Sequence, residues 1–86
     1  MTPKALITGA SSGIGATYAD RFARRGHDLV LVARDAARME TLAVRLRSET
    51  GVAIDILPAD LTRDADVAKV AARLRDDTDI GILVNN

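Results

Sequence analysis

Four short runs of aliphatic residues recur along the chain, and a helical pattern fills each gap between them. That alternation limits the fold more than any other feature. The runs are Lys4–Thr8 (KALIT), Asp28–Ala33 (DLVLVA), Ala53–Pro58 (AIDILP) and Ile80–Val84 (IGILV). Between the first two, Ile14, Tyr18, Ala19, Phe22 and Ala23 return at helical spacing. Arg24 and Arg25 follow where cations favour a helix dipole, and Gly26 suits a left-handed cap. Met39, Leu42, Ala43 and Leu46 mark a second helix, which Asp35 is placed to cap and Gly51 to close. Val67, Val70, Ala71 and Leu74 mark a third, with Thr62 as the expected cap and Asp64 and Asp66 near its positive end. A strand that returns through a helix pairs in parallel, by a right-handed crossover. The expected class is therefore α/β, a parallel sheet with flanking helices. DLVLVA, apolar without alternation, reads as a strand buried on both faces.

Composition removes whole classes of function. At 86 residues the chain holds one small domain at most, and a chain of this size buries only about 60–65% of the surface it exposes unfolded. Twelve basic and twelve acidic residues cancel, which leaves no footprint for nucleic acid or an anionic membrane. Without cysteine there is neither a disulfide nor a thiolate metal site, and the single histidine, His27, cannot build a metal site alone. No apolar run approaches the ~18 residues that span a bilayer. A cytoplasmic location is the default expectation.

The chemistry concentrates in Thr8–Gly15, TGASSGIG, where the first strand hands over to the first helix. First-turn N–H groups of a helix lack internal partners, and the dipole adds about half a positive charge there. A phosphate held at that point gains hydrogen bonds and a favourable field together. Glycine lets the backbone approach a pyrophosphate that side chains would hold off, and the Ser11 and Ser12 hydroxyls can add donors. The spacing Gly9-x-x-x-Gly13-x-Gly15 is neither the commoner G-x-G-x-x-G nor a P-loop, and no lysine follows it, which argues against nucleoside triphosphate hydrolysis.

TGASSGIG near the start, DLT after the third strand and LVNN at the fourth together resemble the short-chain dehydrogenase/reductase family. The likeness covers essentially the whole chain, as the first third or so of a family member. It implies a Rossmann-like sheet of strand order 3-2-1-4, of which the chain holds the first four strands, so that residues 1–86 form the N-terminal part of one dinucleotide-binding domain. It also implies roles for individual residues. Gly9, Ser11, Ser12, Gly13, Ile14 and Gly15 match the pyrophosphate loop. Asp60 and Leu61 match the step beside the adenine, the carboxylate accepting from the exocyclic amine and the leucine covering the ring. Asn85 and Asn86 match the two asparagines that support the sheet and the adenosine ribose. The complete protein is expected to act on an alcohol or carbonyl substrate and to form a homo-oligomer.

The choice of cofactor turns on the end of the second strand. An acid there would accept from the ribose 2′-hydroxyl and repel a 2′-phosphate. Ala33 occupies the place where the family puts that acid, and Arg34 follows, about 20 residues beyond Gly15. A guanidinium can grip a phosphate through two parallel charge-assisted bonds. NADP (as NADPH) is the expected cofactor. NAD stays open only if the Asp35 carboxylate turns to the ribose instead of capping the second helix.

Hydride transfer to a carbonyl also needs an acid for the developing alkoxide. In the family that work belongs to a serine, a tyrosine and a lysine far downstream. Tyr18 stands four residues before Phe22, not before a lysine, and is expected to pack its helix. His27 is expected to be a solvent-facing turn residue. No catalytic residue is therefore assigned within the chain, which is expected to be an inactive fragment of the enzyme, prone to aggregate alone because its apolar surface lacks cover. The alternative is a non-catalytic, Rossmann-type dinucleotide-binding or sensor module. A downstream Tyr-x-x-x-Lys would decide for the enzyme.

Overall fold

Each aliphatic run forms a strand, and each intervening pattern a helix. The computed structural model describes residues 2–86. The elements run β1 (Lys4–Thr8), α1 (Gly13–Arg24), β2 (Leu29–Ala33), α2 (Ala36–Thr50), β3 (Ile54–Pro58), α3 (Asp64–Asp76) and β4 (Ile80–Val84). They build one parallel four-stranded sheet of order β3-β2-β1-β4, the order expected from the sequence. Thr8 pairs with Val32, Ala33 with Pro58 and Ile7 with Val84, so the four strands end nearly level.

Both faces of the sheet are covered, which explains the unbroken apolar runs of β1 and β2. All five residues of β2 are buried. On one face Ala5, Ile7, Leu29, Leu31 and Ile54 pack against α1 and α2 through Ala19, Ala23, Met39 and Leu46. On the other, Leu6, Val30 and Val32 meet Val70 and the half-buried Leu74 of α3.

The stripe of α1 is narrower than its periodicity suggested. Only Gly15, Ala19 and Ala23 of this helix are buried. These small residues at i, i+4 and i+8 let the helix axis approach the sheet closely, and the larger side chains are displaced to the flanks. Ile14 is 66% exposed and Tyr18 42%, so neither packs the core as expected. His27 also departs from expectation. It is half-buried, its Nδ1 lies 2.7 Å from the Pro3 carbonyl oxygen, and its ring meets Phe22 edge-on. The cause is the end of α1. His27 N–H donates to Phe22 O and Gly26 N–H to Ala23 O, with Gly26 at φ +89°, which is a Schellman turn that folds His27 back onto Phe22.

α2 begins and ends as the sequence indicated: the Asp35 carboxylate accepts from Arg38 N–H at 3.0 Å, and Gly51 closes the helix at φ +78°. α3 starts differently. Its N-cap is Arg63, with no side-chain cap, and Thr62 does not serve the helix. Thr62 is instead drawn to Asp60, whose Oδ1 accepts from both its N–H at 3.0 Å and its hydroxyl at 2.6 Å. That local turn competes with capping and wins because both donors reach one oxygen.

Candidate functional site: a cleft at the carboxyl ends of the strands

Where β1 ends, the chain must turn at once to start α1, and three glycines make the turn possible. Gly9 has φ +62° and Gly13 φ +58°, a region that L side chains rarely adopt. Gly15 is required for a different reason. A Cβ there would lie 2.1 Å from the Gly9 carbonyl oxygen, so the first turn of α1 rests directly on the loop backbone. A Cβ on Gly13 would meet nothing within 4 Å. The loop thus presses against its own helix at Gly15 and opens outward at Gly13. No side chain caps α1, and no acidic residue lies in its first turn.

The loop is fastened to β4 by one hydroxyl. Thr8, only 4% exposed, accepts from Asn86 N–H at 2.9 Å, and its Oγ1 lies 3.3 Å from both Val84 O and Asn85 Oδ1. Asn86 Nδ2 adds a long contact of 3.5 Å to Gly9 O. The two asparagines at the end of β4 therefore brace the glycine loop.

In front of the loop lies a cleft of about 670 Å³, floored by Val32, Ala33 and Ala59 at the ends of β2 and β3. Seven of the sequence-predicted residues line it: Gly9, Ser11, Ser12, Arg34, Asp60, Leu61 and Asn86. Gly13, Ile14, Gly15 and Asn85 do not: Gly13 and Ile14 begin α1 in the open, Gly15 is buried behind Gly9, and Asn85 sits behind Thr8. Two hydrogen bonds from Thr62, with the nearby Arg34 and Arg63 charges adding less, hold the Asp60 carboxyl below the usual aspartate range. Only its Oδ1 is engaged among the described residues, which leaves Oδ2 free to accept. Leu61 is 43% exposed at the rim, apolar surface with no cover within the described chain.

One residue lining the cleft, Arg38, was not singled out from sequence, and two threonines were not given the positioning roles they hold. Arg38 lines it one turn into α2, beside Asp35, with Nε 3.8 Å from Asp35 Oδ2. Thr62 fixes Asp60, and Thr8 fixes the loop. The sequence held one usable signal for Arg38, its position three residues after the cap. For Thr8 the signal was the single hydroxyl in an otherwise apolar strand end. Among the described residues, no group of three or more His, Cys, Asp or Glu could hold a metal, and no helix is long and apolar enough to cross a membrane.

This arrangement has many relatives. The short chain dehydrogenase family profile matches residues 3–86. Human 17-beta-hydroxysteroid dehydrogenase type 3 is 39% identical over 82 residues, covering 95% of this chain and 26% of that protein. Among solved structures, a bulky-bulky ketone specific alcohol dehydrogenase from Comamonas testosteroni superposes with TM-score 0.93 at 70% identity, over 94% of this chain and 32% of that one. A short-chain dehydrogenase from Sphingobium yanoikuyae in complex with NADPH does so with TM-score 0.93 at 72% identity, over the same shares. The chain spans between a quarter and a third of these relatives' lengths. A glycine-braced cleft at the carboxyl ends of a 3-2-1-4 sheet and a profile match across nearly every residue lead to one conclusion: the chain belongs to the short-chain dehydrogenase family.

Proposed function

We propose that the chain is the cofactor-binding part of an NADPH-dependent short-chain oxidoreductase that interconverts an alcohol and a ketone. The observation that carries this reading is the shared cleft, in which an uncapped helix N-terminus behind a glycine loop and the Arg34 guanidinium open onto the same volume. The residues fit such a ligand. Open space at Gly13 and the first-turn N–H groups of α1 suit a pyrophosphate. Arg34, exposed at the end of β2 where the buried Ala33 takes the place of an acid, suits a 2′-phosphate. Asp60 Oδ2 and the exposed Leu61 suit an adenine, by accepting from its amine and covering its face. The Sphingobium relative, 72% identical, binds NADPH, and the Comamonas relative acts on ketones.

When bound, NADPH supplies a hydride to the carbonyl carbon. The chain's own residues bind and orient: the loop fixes the pyrophosphate, Thr8 and Asn86 hold the loop rigid, and Arg34 selects the phosphorylated ribose. Neither an acid to protonate the alkoxide nor a substrate pocket is assigned among these 86 residues. This agrees with the short span of the relatives that the chain covers.

The test is a titration of the intact protein with NADPH and NADH, before and after Arg34→Asp. The unmodified protein should prefer NADPH by at least about tenfold, the scale of one charge-assisted phosphate contact. The variant should prefer NADH. Equal affinities for both cofactors, unchanged by the substitution, would remove Arg34 from the site and with it the NADPH reading.

A further inference from the structure

Four charged side chains line the cleft, and they balance: Arg34 and Arg38 against Asp35 and Asp60. The two carboxylates are not equally available. Asp60 is held by Thr62. Asp35 follows Arg34 directly at the end of β2, close to where an acid would favour a 2′-hydroxyl and repel a 2′-phosphate. Left alone, it would oppose Arg34. It is not alone. Its Oδ1 caps α2 by accepting from Arg38 N–H at 3.0 Å, and its Oδ2 lies 3.8 Å from Arg38 Nε. One residue therefore engages both oxygens of Asp35, through its main chain and its side chain. The Arg38 side chain is 65% exposed, and its guanidinium makes no hydrogen bond among the described residues, so its remaining donors face the cleft and solvent.

We propose that Arg38 is a second specificity-determining residue: it neutralises Asp35 and, with Arg34, completes a pair of cations for the cofactor's 2′-phosphate. The proposal rests on the reading that this cleft takes NADPH. It adds that preference is decided by the Asp35–Arg38 pair as much as by Arg34. With Arg38 neutral, Asp35 becomes an uncompensated acid beside the ribose, and the same cleft turns toward NADH although Arg34 remains. Arg38 stands in the first turn of a helix, where the dipole disfavours a cation. Its place there is costly to the helix alone, and a ligand or carboxylate that needs it supplies the compensation.

The test uses the intact protein and four variants, Arg38→Gln, Arg38→Lys, Asp35→Asn and the double Arg38→Gln/Asp35→Asn, with Kd and KM measured for both cofactors. Asparagine caps helices as well as aspartate, so Asp35→Asn removes charge and leaves the cap. Arg38→Gln should weaken NADPH roughly tenfold, leave NADH unchanged or tighter, and act on KM with kcat retained. Arg38→Lys should keep most of the NADPH affinity. In the double variant, NADPH affinity should recover part of what Arg38→Gln lost, because the acid is gone. A merely structural role would shift both cofactors together. Equal effects on both, or no recovery in the double variant, would overturn the proposal. If Arg34→Asp loses NADPH preference while Arg38→Gln keeps it, the NADPH reading stands and this inference alone fails. If the unmodified protein binds neither cofactor, both fall.

Discussion

Gly15→Ala separates two forces that act in opposite directions. Gly15 is the third residue of α1 and has ordinary helical backbone, so alanine should stabilise the helix by about 1 kcal/mol on intrinsic propensity alone. The packing says otherwise. The added methyl carbon would lie 2.1 Å from Gly9 O, 2.7 Å from Gly9 C and 3.0 Å from Asn86 Nδ2. A carbon and a carbonyl oxygen settle at roughly 3.3–3.6 Å, so an overlap of about 1.2 Å must be relieved. Both clashing atoms of Gly9 are backbone. The helix cannot retreat freely, because Ala19 and Ala23 hold it to the sheet. Nor can Gly9, flanked by the buried Thr8 and by Ala10, whose N–H donates to Val32 O. Overpacking of this kind costs about 1–3 kcal/mol or more, which exceeds the propensity gain. A displaced loop should also weaken cofactor binding, by roughly tenfold for each charge-assisted hydrogen bond to phosphate that it loses. Urea unfolding of the intact protein should show a lower midpoint, and NADPH titration a weaker Kd. Gly51→Ala is the control, with φ +78° and open space around it. It should cost about 1–2 kcal/mol of backbone strain and leave affinity unchanged. A Gly15→Ala protein as stable as the parent, binding NADPH as tightly, would show that the loop does not rest on α1.

Two further outcomes follow from contacts on either side of the sheet. Thr8→Val keeps the shape but removes the hydroxyl that accepts Asn86 N–H; unfolding should show a loss of about 1–2 kcal/mol for the stranded donor, with a weaker cofactor Kd, and an unchanged midpoint would dismiss the hydroxyl as a brace. At the opposite end, Lys4 Nζ bonds Asp77 at 2.8 Å, and this contact first, then Arg73 and Asp79 N–H, holds the Asp77 carboxyl below its ordinary range. A depressed folded pKa means stabilisation that is present above the unfolded value near ~4 and lost as pH falls through the folded one. Asp77→Asn should therefore lower stability at neutral pH, and its difference from the parent should close on acidification below about pH 4. A difference constant from neutral to strongly acid pH would assign it to shape and not to charge.

The strands and the loop were legible because each rests on a local rule, whereas the sheet order was implied only by the family resemblance. A short aliphatic-rich run between two helical patterns reads as a parallel strand, and Gly9-x-x-x-Gly13-x-Gly15 stands where backbone must turn and remain open. What escaped depends on distances between elements. Periodicity marked Ile14 and Tyr18 as core, yet α1 docks through its glycine and alanines, and a closer helix leaves no room beneath it for larger side chains. Thr62 had the residue type and position of a cap, but Asp60 two residues earlier offered it a better acceptor. Arg38 escaped notice, because nothing in its sequence neighbours shows that β2 and β3 end level enough to place it at a cleft.

The distribution of charge pairing supports the functional reading independently of any motif. At the amino ends of the strands the charges are consumed internally: Lys4 with Asp77, Arg73 with Asp55 at 2.6 Å and with Asp77 at 3.2 Å, Asp28 with Ala53 N–H at 2.9 Å, and Arg47 with the Ile54 carbonyl. These contacts tie β1, β2, β3 and α3 together where no ligand is needed. At the carboxyl ends the pattern reverses. Arg34 makes no hydrogen bond or ion pair among the described residues, and Arg38 engages only Asp35, although Asp60 stands in the same cleft. A surface built only for stability would pair such charges, as the other end of the same sheet does. In this strand order the chain leaves β1 for β2 and β3 on one side, then crosses back from β3 through α3 to β4 on the other side of β1, and the crevice opens where the direction reverses. Arg34, a cation with no partner among the described residues, and Arg38, held only by the 3.8 Å contact to Asp35, stand at that crevice beside a helix terminus that no side chain caps, and their free donors suit an anionic ligand. If substituting Arg34 or Arg38 with a neutral residue raised the stability of the cofactor-free protein while leaving NADPH affinity untouched, the cations would be an unresolved strain and not a binding device.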